Sequence, residues 1–241
     1  MSYELHNTDW LELCKSIPDK SIDAIITDLP YGTTACAWDE IIPFVPMWEQ
    51  INRIDKGAFV TSASQPFTSK LIMSNMNEYK YGWVWNKKLA GNALNSDYQP
   101  LKIHEDICVF RKHTYNLILR KGDMRTKMWD GNFPAGTMGS DKETKAYKSD
   151  EYKPTSILDF SLPRIGREHP TQKPIGLLSY LIRTYTNEGD TVLDFCMGSG
   201  TTGVACMQLG RNFIGCEIDP NYYAIAERRI KQAAMQEVMF T

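Results

Sequence analysis

The apolar positions of this chain follow two periods and switch repeatedly between them. "SIDAIITDL" is a short run rich in β-branched residues, fit for a buried parallel strand, and "GAFVTSA" is another. Between them, "FVPMWEQINRI" repeats its apolar residues near the helical period. "YGWVWNKK" and "HEDICVF" are two more predicted strands, with Trp83 and Trp85 alternating toward a core. Later, "PIGLLSYLIRTYTNEGD" predicts a helix with Pro174 in its first turn. "TVLDF" predicts a strand, "TTGVACMQLG" a short helix ended by Gly210, and "FIGCEI" a further strand. Asp219-Pro220 then opens an amphipathic helix with Asp219 as N-cap. Strands alternating with helices imply an α/β fold, a doubly wound and mostly parallel sheet covered on both faces.

Residues 111–168 break this rhythm. They are polar, rich in Gly and Lys, and weakly periodic. From Arg111 to Lys153 ten Lys and Arg stand against six Asp and Glu. A solvated insertion is one reading. A stretch this long without strong structure inside a compact protein is also often functional.

Composition narrows the class. A chain of 241 residues, 42% hydrophobic and 23% charged, suits one domain with elaborations. A net charge of -2 means that a polyanion partner must be met by a local basic patch. The six cysteines are scattered without a C-x-x-C, so reduced thiols in a cytosol-like compartment are expected and a metal site is not. No apolar run approaches membrane-spanning length, and "MSYELHNTDW" lacks a signal pattern.

Two short stretches carry chemistry. In "LDFCMGSGTTG", Gly198, Gly200 and Gly203 match G-x-G-x-x-G between a strand and a helix, and Glu217 follows at the end of the next strand. A carboxylate there can accept both hydroxyls of an adenosine ribose. Asp194, just before the glycines, would repel a pyrophosphate. It suits S-adenosylmethionine, which carries an ammonium and a sulfonium beside its adenosine. Only about one β-α unit follows, so the other half of the sheet must come earlier in the chain, a circularly permuted order. "ELHNTDWLEL" then supplies a third strand on the cofactor side. Asp9 at its end is an acceptor for the adenine amino group, an N-cap for the next helix, or both. The second stretch is "DAIITDLPYG", where a buried strand delivers Asp28, Pro30 and Tyr31 together.

The ordered pair of motifs resembles the DNA amino-methyltransferases in the β arrangement. In that family an Asp/Asn/Ser-Pro-Pro-Tyr motif precedes the cofactor motif, and target recognition lies between them. "DLPYG" matches the first with Leu29 for the first proline, "LDFCMGSGTT" the second, and "HPTQKP" at 169–174 the segment before the cofactor strand. The family's aromatic after Asp-Pro is met one place early, by Phe195.

The resemblance implies a single methyltransferase domain over 1–241, with 111–168 as a target-recognition insertion. It implies S-adenosylmethionine held by Asp9, Asp28, Lys173, Asp194, Phe195, Gly198, Ser199, Gly200, Thr201 and Glu217. Lys173 and its helix N-terminus would face the methionine carboxylate. Asp28, Pro30 and Tyr31 would be catalytic. An exocyclic amine is a poor nucleophile, and acceptors aimed at its protons localise its lone pair. Asp28 and a carbonyl of Leu29 or Pro30 take that role, and Tyr31 stacks on a base flipped out of double-stranded DNA. Lys87, Lys88, Lys121, Arg125 and Lys127 are candidate phosphate contacts.

In the family this chain resembles, Asp before Pro-Tyr goes with the 6-amino group of adenine, so the resemblance implies that target, with the 4-amino group of cytosine as the alternative. The expected setting is DNA methylation within restriction-modification, in the cytoplasm of a bacterial or phage-infected cell, by a monomer or homodimer without membrane contact. A protein glutamine methyltransferase is disfavoured by the motif order. A non-catalytic nucleotide- or DNA-binding module is disfavoured by the intact Asp28, Tyr31 and Asp194.

Overall fold

A computed structural model describes residues 1–33, 39–91, 96–129, 145–162, 168 and 171–238. Ten strands and six helices follow one another along them. The first half runs β1 (Tyr3–His6), α1 (Trp10–Ser16), β2 (Ile22–Thr27), α2 (Phe44–Ile54), β3 (Asp55–Ala63), α3 (Phe67–Ser74), β4 (Tyr79–Gly91) and β5 (Lys102–Phe110). Then come β6 (Arg120–Trp129), β7 (Lys145–Tyr152) and β8 (Ile157–Asp159). The last part is α4 (Ile175–Tyr185), β9 (Thr191–Asp194), α5 (Thr201–Gln208), β10 (Asn212–Cys216) and α6 (Pro220–Val238). None of the described helices is long and apolar enough to cross a membrane.

Eight strands form one sheet in the order β1-β10-β9-β2-β3-β5-β4-β8. The pairs from β1 to β3 are parallel, as is β4 with β8. Successive side chains of a strand point to opposite faces, so each strand serves two cores. In β2, Ala24 and Ile26 pack with Leu181 and Ile182 of α4, Ala205 of α5 and Ile230 of α6. Ile25 packs with Met47 and Ile51 of α2 and Phe67 of α3. This double burial is why these strands read as unbroken apolar runs.

Strand β5 departs from the simplest expectation. It runs antiparallel to both β3 and β4. Among the described residues no helix intervenes between β4 and β5, and a parallel pair needs such a crossover. The hairpin therefore turns β5 round, and its first residues lie at the carboxyl edge of the parallel strands.

The direction of winding across the sheet reverses between β9 and β2, which are parallel neighbours. From β9 the chain winds outward to β10; from β2 it winds the other way to β3. Such a switch point opens a crevice at the carboxyl ends of the strands. Asp194 ends β9, and Asp28 directly follows β2.

Contacts divide the chain into a unit of residues 1–116 with 156–241 and a second unit of residues 117–155. The first closes on Asn116, whose side-chain amide donates to Arg183 O, Thr186 O and Asn187 Oδ1, while its N–H donates to Thr184 O. The second holds β6 and β7 as an antiparallel pair. Strands were not expected in this stretch. Lys121 pairs with Asp150 at 3.4 Å and Glu151 at 3.2 Å, and Arg125 lies 5.9 Å from the Tyr152 ring. Polar cross-strand pairs leave no apolar alternation to read.

The glycine in the middle of α5 shows how closely the layers meet. A Cβ on Gly203 would lie 2.5 Å from Ile230 Cδ1 and 2.7 Å from Phe213 Cε1. Both neighbours are fully buried. Gly203→Val is expected to lower stability by about 1–3 kcal/mol through overpacking, read from the shift of a urea unfolding midpoint.

Candidate active site

The turn after β9 is built around two left-handed glycines. Gly198 has φ 51° and Gly200 φ 74°, conformations that side chains other than glycine rarely adopt. Gly200 also faces α6, where a Cβ would lie 2.8 Å from Ala226 Cβ. Arg229 of α6 holds the turn from behind. Its Nη1 donates to Ser199 O, to Ser199 Oγ at 2.9 Å and to Thr201 Oγ1 at 3.3 Å. Sequence reading missed Arg229; its only trace is a cation beside the buried stripe of Ala226, Ile230 and Ala233.

Asp194 is 2% exposed. Its Oδ1 accepts from Thr27 Oγ1 at 2.7 Å and from Cys196 N at 3.1 Å, and its Oδ2 from Thr202 Oγ1 at 2.6 Å. Among the described residues, these hydrogen-bond donors are all neutral. Burial pushes its pKa up to about 6 despite the hydrogen bonds that favour the charge. A buried carboxylate without a cation is costly unless one arrives with a ligand. Glu217 follows β10; its Oε2 accepts from Gly198 N and its Oε1 from Asp219 N, both at 2.9 Å. Burial raises the pKa of Glu217 as well. Asp9 caps α1, accepting from Leu11 N at 2.8 Å, and Asp219 caps α6 by accepting from Asn221 N at 2.8 Å.

On the other side of the switch point Asp28 meets three donors. Its Oδ1 accepts from Tyr31 Oη at 3.0 Å and from Ser62 Oγ of β3, and its Oδ2 from Lys173 Nζ at 2.5 Å. A carboxylate offers about four lone-pair sites, so with these three donors one remains open among the described residues. Lys173 also lies 3.4 Å from Glu105, which in turn pairs with Lys87 at 3.1 Å. Burial pulls the pKa of Lys173 down, but Asp28 and Glu105 together outweigh it and hold it above the usual lysine value. Burial likewise opposes the charge on Glu105, and Lys173 and Lys87 overcome it, leaving its pKa low. The Lys173 ammonium sits 5.9 Å from the Tyr31 ring and 5.8 Å from the Trp85 ring. Tyr31 keeps its proton: burial first, then Asp28 and Glu105, raise its pKa well above the ordinary value.

Asp39 shapes the loop that carries Tyr31. Its Oδ1 accepts the N–H groups of Tyr31 at 2.7 Å and Gly32 at 2.9 Å, and its Oδ2 that of Thr33 at 2.9 Å. The Tyr31 ring is stacked against Phe67, with centroids 5.3 Å apart. Asp39, Ser62 and Glu105 carry no motif of their own, and only the fold brings them here.

Both motifs open into one cavity of about 680 Å³, within the range of small-molecule sites. Of the expected residues, Asp9, Asp28, Pro30, Tyr31, Lys87, Lys173, Asp194, Phe195, Gly198, Ser199, Thr201 and Glu217 all line it. Gly200 is not among the lining residues. Lys88 lies 3.7 Å from Asp159 on β8. Lys121 and Arg125 belong to the unit of residues 117–155. The side chain of Lys127 lies outside the described residues, as do His169 and Cys36. Among the described residues no cluster of His, Cys, Asp and Glu could hold a metal ion.

Residues 22–228 match the family whose description is DNA methylase. The chain belongs to this family. The type II methyltransferase M2.LlaDCHI of Lactococcus lactis is 46% identical, covering 95% of this chain and 90% of its own. The DNA adenine methyltransferase YhdJ of Escherichia coli is 28% identical, covering 94% and 82%. The crystal structure of an M1.HpyAVI–SAM complex superposes with a TM-score of 0.63 at 25% identity, covering 94% of this chain and 99% of that one.

In this DNA methylase the loop after β2 depends on Asp39. Asp39→Ala strips three backbone N–H groups of their acceptor and should cost about 1–3 kcal/mol in urea unfolding. Asp39→Asn, which keeps one acceptor oxygen, should lose less.

Proposed function

We propose that this DNA methylase transfers a methyl group from S-adenosylmethionine to the exocyclic 6-amino group of adenine in double-stranded DNA. The observation that carries the reading is the joint opening of Asp28 and Asp194 into one cavity, where, among the described residues, Asp28 keeps an open acceptor site and Asp194 has no cationic partner. When bound, S-adenosylmethionine supplies an electrophilic methyl group on a sulfonium. Asp194 suits its ammonium end, and Glu217 and Asp9 suit its ribose and adenine. Phe195, which lines the cavity with its ring 6.0 Å from that of Trp10, lends an apolar surface.

Asp28 accepts a hydrogen bond from one N–H of the target amine at its open lone pair, and the carbonyl of Leu29 or Pro30 accepts one from the other. Lys173, Ser62 and Tyr31 fix the carboxylate in place, so it has no reorganisation to undergo when charge develops on nitrogen. Alignment of amine and methyl group supplies much of the remaining acceleration. A stacked base cannot reach the cavity and must leave the helix, and the Tyr31 ring offers it a stacking face. The adenine reading is supported by the Asp-x-Pro-Tyr motif and by the name of the E. coli relative.

Target recognition falls to the insertion between the motifs, with Lys87, Lys88, Lys121, Arg125 and Lys127 on phosphates. Lys121 would exchange its partners Asp150 and Glu151 for phosphate. The two relatives named above are bacterial, which supports a restriction-modification setting in bacterial cytoplasm. The protein would act there as a monomer or homodimer.

Asp28→Ala should reduce kcat by about a hundredfold or more, as loss of a preorganised acceptor does. Thermal stability should fall modestly, because Lys173 loses one of its two carboxylate partners while Glu105 remains. Methyl transfer from labelled cofactor to host DNA measures it, and near-normal turnover would remove Asp28 from the mechanism.

A second outcome concerns pH. A bound cation favours the carboxylate of Asp194, and a proton competes with it. Affinity for S-adenosylmethionine should therefore be level above about pH 7 and weaken as pH falls through the Asp194 value of about 6. Calorimetry across this window decides it; a flat profile means that Asp194 does not face the cation.

A further inference from the structure

Strands β4 and β5 continue past the cavity as an arm. Ile107 and Glu105 of β5 line the cavity, as do Trp85 and Lys87 of β4. Trp85 and Glu105 are register partners, and so are Asn86 and His104 one rung further out. Alternate residues of a strand share a face. The row that begins with buried Ile107 and passes Glu105 therefore reaches Ile103 next, on the cavity side. Ile103 is 44% exposed. Beyond it Leu101 is 45%, Tyr98 90% and, on the opposing strand, Leu89 46% exposed.

Single exposed apolar residues are ordinary. Four large ones on one arm, continuing the wall of an active-site cavity, mark an interaction surface. The family selects the partner, for a DNA methylase acts on DNA. Lys87 and Lys88 are engaged by Glu105 and Asp159, whereas Lys102, beside the patch, donates to Ser64 Oγ and has no carboxylate partner among the described residues. Apolar side chains beside such a lysine suit a nucleic acid, in which phosphates surround stacked, apolar base faces.

We infer that Tyr98, Leu101 and Ile103 of this arm form a wedge that enters the DNA stack where the target base leaves it. The inference rests on the base-flipping reading above and adds the group that lowers the cost of flipping. Extrusion leaves a hole between neighbouring base pairs, and an inserted apolar side chain restores the lost contacts. Leu101, Ile103 and Tyr98 are the side chains that fill it. They lie on a segment continuous with the wall that receives the base, so insertion and capture are one movement.

The test uses the full chain and a duplex bearing its target site, mapped from methylated positions in the DNA of an expressing host. Two duplexes are compared: one with the target adenine paired, and one with an abasic site opposite it, where extrusion is cheap. Tyr98→Ala/Leu101→Ser/Ile103→Ser should lose at least about tenfold in kcat/KM on the paired duplex and less than about threefold on the abasic one. The fluorescence rise of 2-aminopurine at the target position should fall in parallel. Equal losses on both duplexes, or none on either, overturn the wedge. So does a change in oligomeric state with an unaltered ratio between the duplexes, which would make the arm a self-association surface. If the wild-type chain methylates neither duplex, the base-flipping reading fails and the wedge falls with it. That result is distinct, because it appears before any substitution is made.

Discussion

The hydrogen bond from Thr27 to Asp194 spans the point where the winding of the chain across the sheet reverses. Thr27 ends the strand that delivers the Asp28 loop, and Asp194 ends the strand that delivers the glycine turn. Nothing in covalent connectivity brings these strands together, for they are separated by most of the chain. Parallel pairing aligns them, and this contact fixes their ends at matching height. It also explains why a carboxylate is buried there at all. Asp194 gathers three neutral donors from β2, the turn and α5, and so ties down the groups that border the cavity. The burial that makes it a good clasp also leaves its charge poorly compensated, which is the property a cationic ligand needs.

The wall opposite is arranged on a different principle. Asp28, Lys173, Glu105 and Lys87 form a chain of alternating charge that is neutral overall. Each member offsets the desolvation of the next, so the buried lysine stays charged and the buried glutamate stays ionised. One half of the site thus holds a satisfied ionic lattice and the other an unsatisfied anion. A ligand carrying positive charge is directed to the second without disturbing the first.

Much of the fold was legible because parallel strands buried on both faces must be apolar, and their helices must be amphipathic. The capping roles of Asp9 and Asp219 and the tight turn at Gly198 follow from local chemistry alone. The motif carboxylates were legible because each sits beside glycine or proline at a strand end. Glu105 was not, since its place depends on β5 running backward, a consequence of a hairpin rather than of any local pattern. Asp39 and Arg229 were hidden for the same reason: each stabilises a loop or turn that is distant in sequence or unmarked by periodicity. Strands β6 and β7 were missed because cross-strand polar pairing produces no apolar rhythm.

Asn116 has a consequence beyond its hydrogen bonds. It clamps the chain to the end of α4 immediately before residues 117–155 begin. A clamp of this kind frees the downstream stretch from the packing rules of the sheet. Lengthening or shortening a connection adds little closure cost, so the chain after Asn116 can drift in length and composition while the strands keep their register. A change of length within residues 117–155 is therefore absorbed at Asn116, before it can reach the strand ends that hold both carboxylates.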